Sequence, residues 1–139
     1  MARSRQDVMS LRNRQAIAAI IEHMDNAIED AARFTTFESF ASDRIARNSV
    51  AMELIQISET GKIISTAFMK KYSDIPWREI RELRNRLVHE YDQIEWDIVF
   101  TTVKDDLPIY RRILAALRLD IPDALKQQNG NVFDRASTL

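Results

Sequence analysis

Four residues with useful chemistry, Arg84, Asn85, His89 and Tyr91, fall within the eight-residue stretch RNRLVHEY. A histidine moves a proton near neutral pH. An arginine grips phosphate oxygens through paired hydrogen bonds and stabilises charge that grows in a transition state. Asn85 can orient either partner. Together these types suit phosphodiester chemistry, with Arg84 and His89 as the candidate catalytic pair and Asn85 in support. Arg78, Arg81 and Arg86 flank Arg84 and form a local basic cluster, a candidate contact for a nucleic-acid backbone. The bland alternative for that cluster is a solvated helix face, paired with Glu79 and Glu82.

Spacing constrains the chemistry. In a continuous helix, positions five apart are rotated by about 140°. Arg84 and His89 then lie on different faces, whereas Asn85 and His89, four apart, share one. A helix that ends within or just after the stretch provides a terminal turn through which Arg84 and His89 can converge.

Other chemistries are disfavoured. The chain has no cysteine, and its second histidine, His23, is far away in sequence. Thiolate metal sites, disulfides and local histidine metal motifs are thus excluded. No Gly-rich phosphate loop or nucleophile elbow occurs. No metal or cofactor is expected. The net charge of −1 gives no global positive field. The longest apolar run, residues 16–21, is far short of a membrane span, and the first residues lack the apolar core of a signal peptide. The expectation is a soluble cytoplasmic protein without a membrane partner.

The elements that must position the cluster read as helices. The 139 residues suit one domain, and two glycines and three prolines are few for a β-protein. Ile17, Ile20, Ile21, Met24, Ile28 and Ala31 form one helical stripe over about residues 11–32. His23 lies beside it as a structural histidine. Thr36 can cap a short turn at 37–40, and Ser42 or Asp43 a long helix running to about residue 70. Gly61 falls inside that helix, where close packing is one explanation. Pro76 suits the first position of the motif helix, with Trp77, Ile80, Leu83 and Leu87 inward. A last helix spans about 95–119, with Trp96, Val99, Phe100, Val103, Leu107, Tyr110, Ile113, Leu114 and Leu117 on its core side and a kink at Pro108. The fold class is all-α: an antiparallel bundle of four main helices plus short pieces. Residues 1–120 form the domain and 121–139 a polar tail.

RNRLVHEY resembles the R-x4-HxY motif of HEPN-domain ribonucleases, and the surroundings resemble the HepT-like toxin family. Ile75-Pro76-Trp77 followed by Ile80 is similar to the family's entry to the motif helix. Ile57-Ser58-Glu59 resembles its Ile-Gly-Glu signature, with serine for glycine, and Asp106-Leu107-Pro108 its Leu-Pro element. The likeness covers roughly residues 15–118. Asp92-Gln93 departs from it, where many relatives carry an aromatic and a glycine. The resemblance implies an all-α homodimer with both motifs facing one cleft, and RNA cleavage without a metal ion. It also implies an MntA-type nucleotidyltransferase antitoxin that attaches AMP to the motif tyrosine. Carried over by position, Arg84 and His89 are catalytic, Asn85 supports them, and Tyr91 is the AMPylation site.

Two other readings use the same residues. One is a non-catalytic HEPN subunit that binds a nucleotidyltransferase or nucleotide. The other is a structural helical dimer in which Arg84 pairs with a glutamate and Tyr91 packs in the core.

Overall fold

The computed structural model describes residues 10–118. The expected boundary at residue 120 and the polar tail lie outside these residues. Among the described residues the structure is all helical, in the order α1 (Leu11–Ala32), α2 (Phe37–Ala41), α3 (Arg44–Gly61), α4 (Thr66–Lys71) and α5 (Trp77–His89). A 3-10 turn (Tyr91–Gln93), α6 (Trp96–Thr101), a π-helical turn (Thr102–Asp106) and α7 (Leu107–Arg118) follow. Counting α6, the π-turn and α7 as one continuous rod, four main helices pack together.

Short side-chain oxygens start most of these helices. Ser10 accepts from Asn13 N, Thr36 from Ser39 N, Asp43 from Ala46 N and Ser65 from Phe68 N. Each satisfies a first-turn amide that has no partner within its own helix. The apolar stripes then converge. Ile20, Met24, Phe40, Val50, Val103 and Leu114 are completely enclosed.

Helix direction can be read from the polar contacts. Asn13, His23 and Asp30 ascend α1 while their partners Ser65, Glu53 and Ser49 descend the chain. Likewise Glu59 meets Arg84 and Asn48 meets Tyr91. Both α1–α3 and α3–α5 are therefore antiparallel. Arg111 ties α7 to α1 through Asp25, with Nε to Oδ1 at 2.7 Å and Nη2 to Oδ2 at 3.4 Å. His23 holds Glu53 at 2.7 Å, the structural role expected of it.

Three expectations are corrected. The helix expected to run to residue 70 stops at Gly61, and Ser65 caps a separate α4. A Cβ on Gly61 would meet nothing within 4 Å. The glycine is therefore no close-packing device; it is the last residue of the helix. The break is fixed instead by buried Asn13, whose Oδ1 accepts from Ser65 N and whose Nδ2 donates to Ser65 Oγ, both at 3.0 Å. Pro76 is the cap of α5, with a non-helical ψ of 70°, and Trp77 is the first helical residue. The disturbance expected at Pro108 takes the form of a π-turn that ends two residues before the proline. A proline has no N–H for the i−4 carbonyl and its ring crowds that carbonyl, and a wider turn relieves both.

Candidate active site

Helix α5 carries the cluster, and its sequence suits its ends. Glu79 lies in the first turn, and Arg86 and His89 in the last, where the helix dipole favours each sign of charge. Glu90 N donates to Arg86 O at 2.8 Å and closes the helix, and Gln93 N donates to Glu90 O at 2.9 Å in the turn that follows.

The helix does end within the eight-residue stretch, but only after His89. Residues 84–89 are all helical, so no terminal turn folds Arg84 towards His89. The register keeps them about 140° apart in one chain. His89 is exposed, with no hydrogen-bond or ion-pair partner among the described residues. Asn85, on its face, is also exposed and accepts from Arg84 Nη1 at 3.0 Å.

Arg84 turns towards α3, with its side chain 21% exposed. Its Nε lies 2.6 Å from Glu59 Oε1. The Nε–H makes no aligned hydrogen bond, so the contact is chiefly one of opposite charges. Lys62 Nζ reaches the same carboxylate at 3.1 Å. The Lys62 hydrogen bond is the largest cause holding the Glu59 carboxyl below its ordinary value; burial opposes it, and Arg84 adds to the lowering.

The other candidates are spread around the helix. Arg78 pairs with Glu82 at 3.0 Å, one turn along, as a solvated face would have it. Arg81 and Arg86 are exposed. Arg86 edges a cleft of 380 Å³ between α5 and the α6–α7 rod, floored by Ile57, Leu83 and Leu107. Tyr110 lines the same cleft, and burial, then Asp106 and Glu79, push its phenol up. Among the described residues no group of three or more His, Asp or Glu side chains is placed to hold a metal ion.

Tyr91 stands just beyond the helix and is 37% exposed. Its hydroxyl donates to Asn48 Oδ1 on α3. Its ring meets Trp96 edge-on, centroids 5.4 Å apart at 74°. Trp96 is fixed in turn by Phe40 and by the Arg47 guanidinium, 5.6 Å from its ring centre. Sequence reasoning missed Asn48, Arg47 and Lys62. Asn48 is distant from Tyr91 in sequence and belongs to no motif, so no local signal marks it.

With this geometry in place, the similarity to known proteins is informative. A family model described as Ribonuclease HepT-like matches residues 24–117. The chain belongs to the ribonuclease HepT-like family. It is 32% identical over 118 residues to a protein of Thermococcus cleftensis named "Probable ribonuclease HepT", covering 85% of this chain and 99% of that one. Two proteins of Methanocaldococcus jannaschii, each named "Putative RNase", are 29% and 32% identical. They cover 72% and 68% of this chain, and are themselves covered over 92% and 81% of their lengths. No solved structure matches the chain. Among the described residues, no helix is long and apolar enough to cross a membrane.

Proposed function

We propose that this HepT-like chain is the toxin of a toxin–antitoxin pair, an endoribonuclease that cleaves RNA through its own 2′-hydroxyl and needs no metal ion. The observation that carries the reading is the presentation of His89. It sits exposed on the last turn of α5, one turn beyond Asn85, which is itself in contact with Arg84.

The 2′-oxygen loses its proton to a base and attacks phosphorus. The 5′-oxygen leaves with a proton from an acid, so the products are a 2′,3′-cyclic phosphate and a 5′-hydroxyl. His89 supplies proton transfer, and Arg84 stabilises the charge on the phosphorane oxygens. Asn85 orients them. Arg78, Arg81 and Arg86 hold the RNA backbone.

Each chain offers one such histidine, on a different helix face from its arginine. A two-fold homodimer brings a second motif to the same cleft, supplying both base and acid and doubling the basic cluster. Support for an interface beside the motif comes from Ile45 and Met52 on α3, exposed by 72% and 54%, and from exposed Val88 on α5.

In this reading an MntA-type nucleotidyltransferase attaches AMP to Tyr91, whose phenol is partly exposed. The added phosphate repels RNA and neutralises Arg84.

A second reading has its own observations. Arg84 is already paired with Glu59, and Tyr91 is anchored on Asn48 and Trp96, as in a purely structural bundle. Digestion of RNA in excess chelator separates the two. Wild-type protein yields cyclic-phosphate ends and His89→Ala yields none. Cleavage by His89→Ala at the wild-type rate defeats the catalytic assignment.

A further inference from the structure

The Tyr91–Asn48 contact has a chemistry of its own. It is the hydrogen bond that holds the phenol, and it crosses from the end of α5 to α3. Asn48 is exposed, so the hydroxyl is held at the surface. The edge contact with Trp96 fixes the plane of the ring, and Phe40 and Arg47 fix Trp96. Ring plane and hydroxyl direction are therefore both set before any partner arrives. Such preorganisation raises the fraction of encounters with correctly aligned reacting atoms.

The identity of the acceptor matters as much as its place. An amide oxygen accepts a hydrogen bond but does not take the proton. The hydroxyl donates to Asn48, so the lone pairs of the phenol oxygen are not taken up by that contact. A carboxylate at position 48 would hold the phenol equally well but would set a negative charge beside an incoming triphosphate. The amide gives the orientation without the repulsion.

We propose that Asn48 is a positioning residue that presents the Tyr91 phenol for nucleotidyl transfer. This rests on the reading of Tyr91 as the modified residue. In the reaction the phenol oxygen forms a bond to the α-phosphorus of ATP. The bond between that phosphorus and the α–β bridging oxygen breaks, and pyrophosphate leaves. The phenol proton passes to a base of the transferase or to water. Asn48 neither donates nor receives the proton.

The experiment follows AMP transfer by intact mass, using the full chain, ATP and an MntA-type nucleotidyltransferase. Asn48→Ala lowers the saturated transfer rate by roughly five- to tenfold, the scale of one lost neutral hydrogen bond. Asn48→Asp restores the saturated rate to within about twofold and instead raises KM for the protein substrate, because charge repulsion acts on encounter rather than on alignment. A merely structural asparagine gives neither the rescue nor the KM-against-kcat split.

An independent arm labels tyrosine at Cζ and compares the Tyr91 resonance. It shifts in Asn48→Ala and returns towards wild type in Asn48→Asp. Transfer to Asn48→Ala at the wild-type rate, equal slowness of the two variants, or an unmoved Tyr91 signal each overturns the positioning role. Absence of AMP on wild-type protein instead overturns the assignment of Tyr91 and, with it, this proposal.

Discussion

Arg84, from within α5, and Lys62, at the end of α3, close on one carboxylate, that of Glu59: Arg84 Nε at 2.6 Å and Lys62 Nζ at 3.1 Å. An RNA phosphate that engages Arg84 must compete with this carboxylate. The glutamate both aims the guanidinium and offsets part of its charge.

The Glu59 carboxyl is lowered by Lys62 and then by Arg84, with burial opposing. A lowered folded-state value means that the contribution to stability is present above the unfolded value and fades as pH falls through the folded one. Glu59→Gln should therefore melt slightly below wild type at neutral pH. The gap should narrow as pH drops below the ordinary carboxyl value of 4.5. The side chain is 35% exposed, so solvent screening keeps the effect small. Thermal melts across acidic buffers check it, and a gap that widens on acidification contradicts the pairing.

His89 and Arg84 should differ in what their removal does to the fold. His89→Ala should lower cleavage by about 10²–10⁴, the usual range for a positioned proton-transfer group. Its melting should be nearly unchanged, because surface substitutions fall within about ±0.5 kcal/mol. Arg84→Ala should lower cleavage by about 10²–10³, as for one lost charge-stabilising donor. It should also reduce, without erasing, the pH-dependent difference made by Glu59→Gln, because Lys62 still holds the Glu59 carboxylate. Single-turnover kinetics with parallel melts measure both.

Phe40 is wholly buried and meets Phe34, Trp96 and Phe100 at centroid distances of 5.8, 6.3 and 5.0 Å. Phe40→Ala should cost about 3–5 kcal/mol in denaturant unfolding. It should loosen Trp96 as well, and through it the ring of Tyr91.

Light scattering at micromolar concentration should give a two-chain mass. Ile45→Glu with Met52→Glu should shift it towards one chain without unfolding, since both side chains face solvent in the single chain. A double variant that remains fully dimeric places the interface elsewhere.

The sequence made local features legible where one residue decides them. Thr36 and Asp43 cap the helices assigned to them, and α1 has the expected extent. The end of α3 was not legible, because it depends on Asn13, which belongs to another helix. The proline marked a disturbance in the last rod, and the π-turn is one of the forms such disturbances take. In the site, α5 and its motif could be read from type and spacing. Their partners Glu59, Asn48 and Trp96 come from α3 and α6, and helix packing alone brings them there. Ile45 and Met52 lie on α3 as well, yet the single chain leaves both in water.

The π-turn at Thr102–Asp106 has the geometry of a one-residue insertion in an otherwise regular rod. Val99, Val103 and Leu107 are all buried at four-residue steps. A strict α-helix would carry such a series about 40° further round at each step. The wider turn takes up that drift, so α6 and α7 keep one inward phase. Deleting Lys104 would restore regular winding but rotate Trp96 by about 100° relative to α7. The extra residue thus works as a phase adjuster, tying the orientation of the ring that Tyr91 meets edge-on to the seating of α7 against α1.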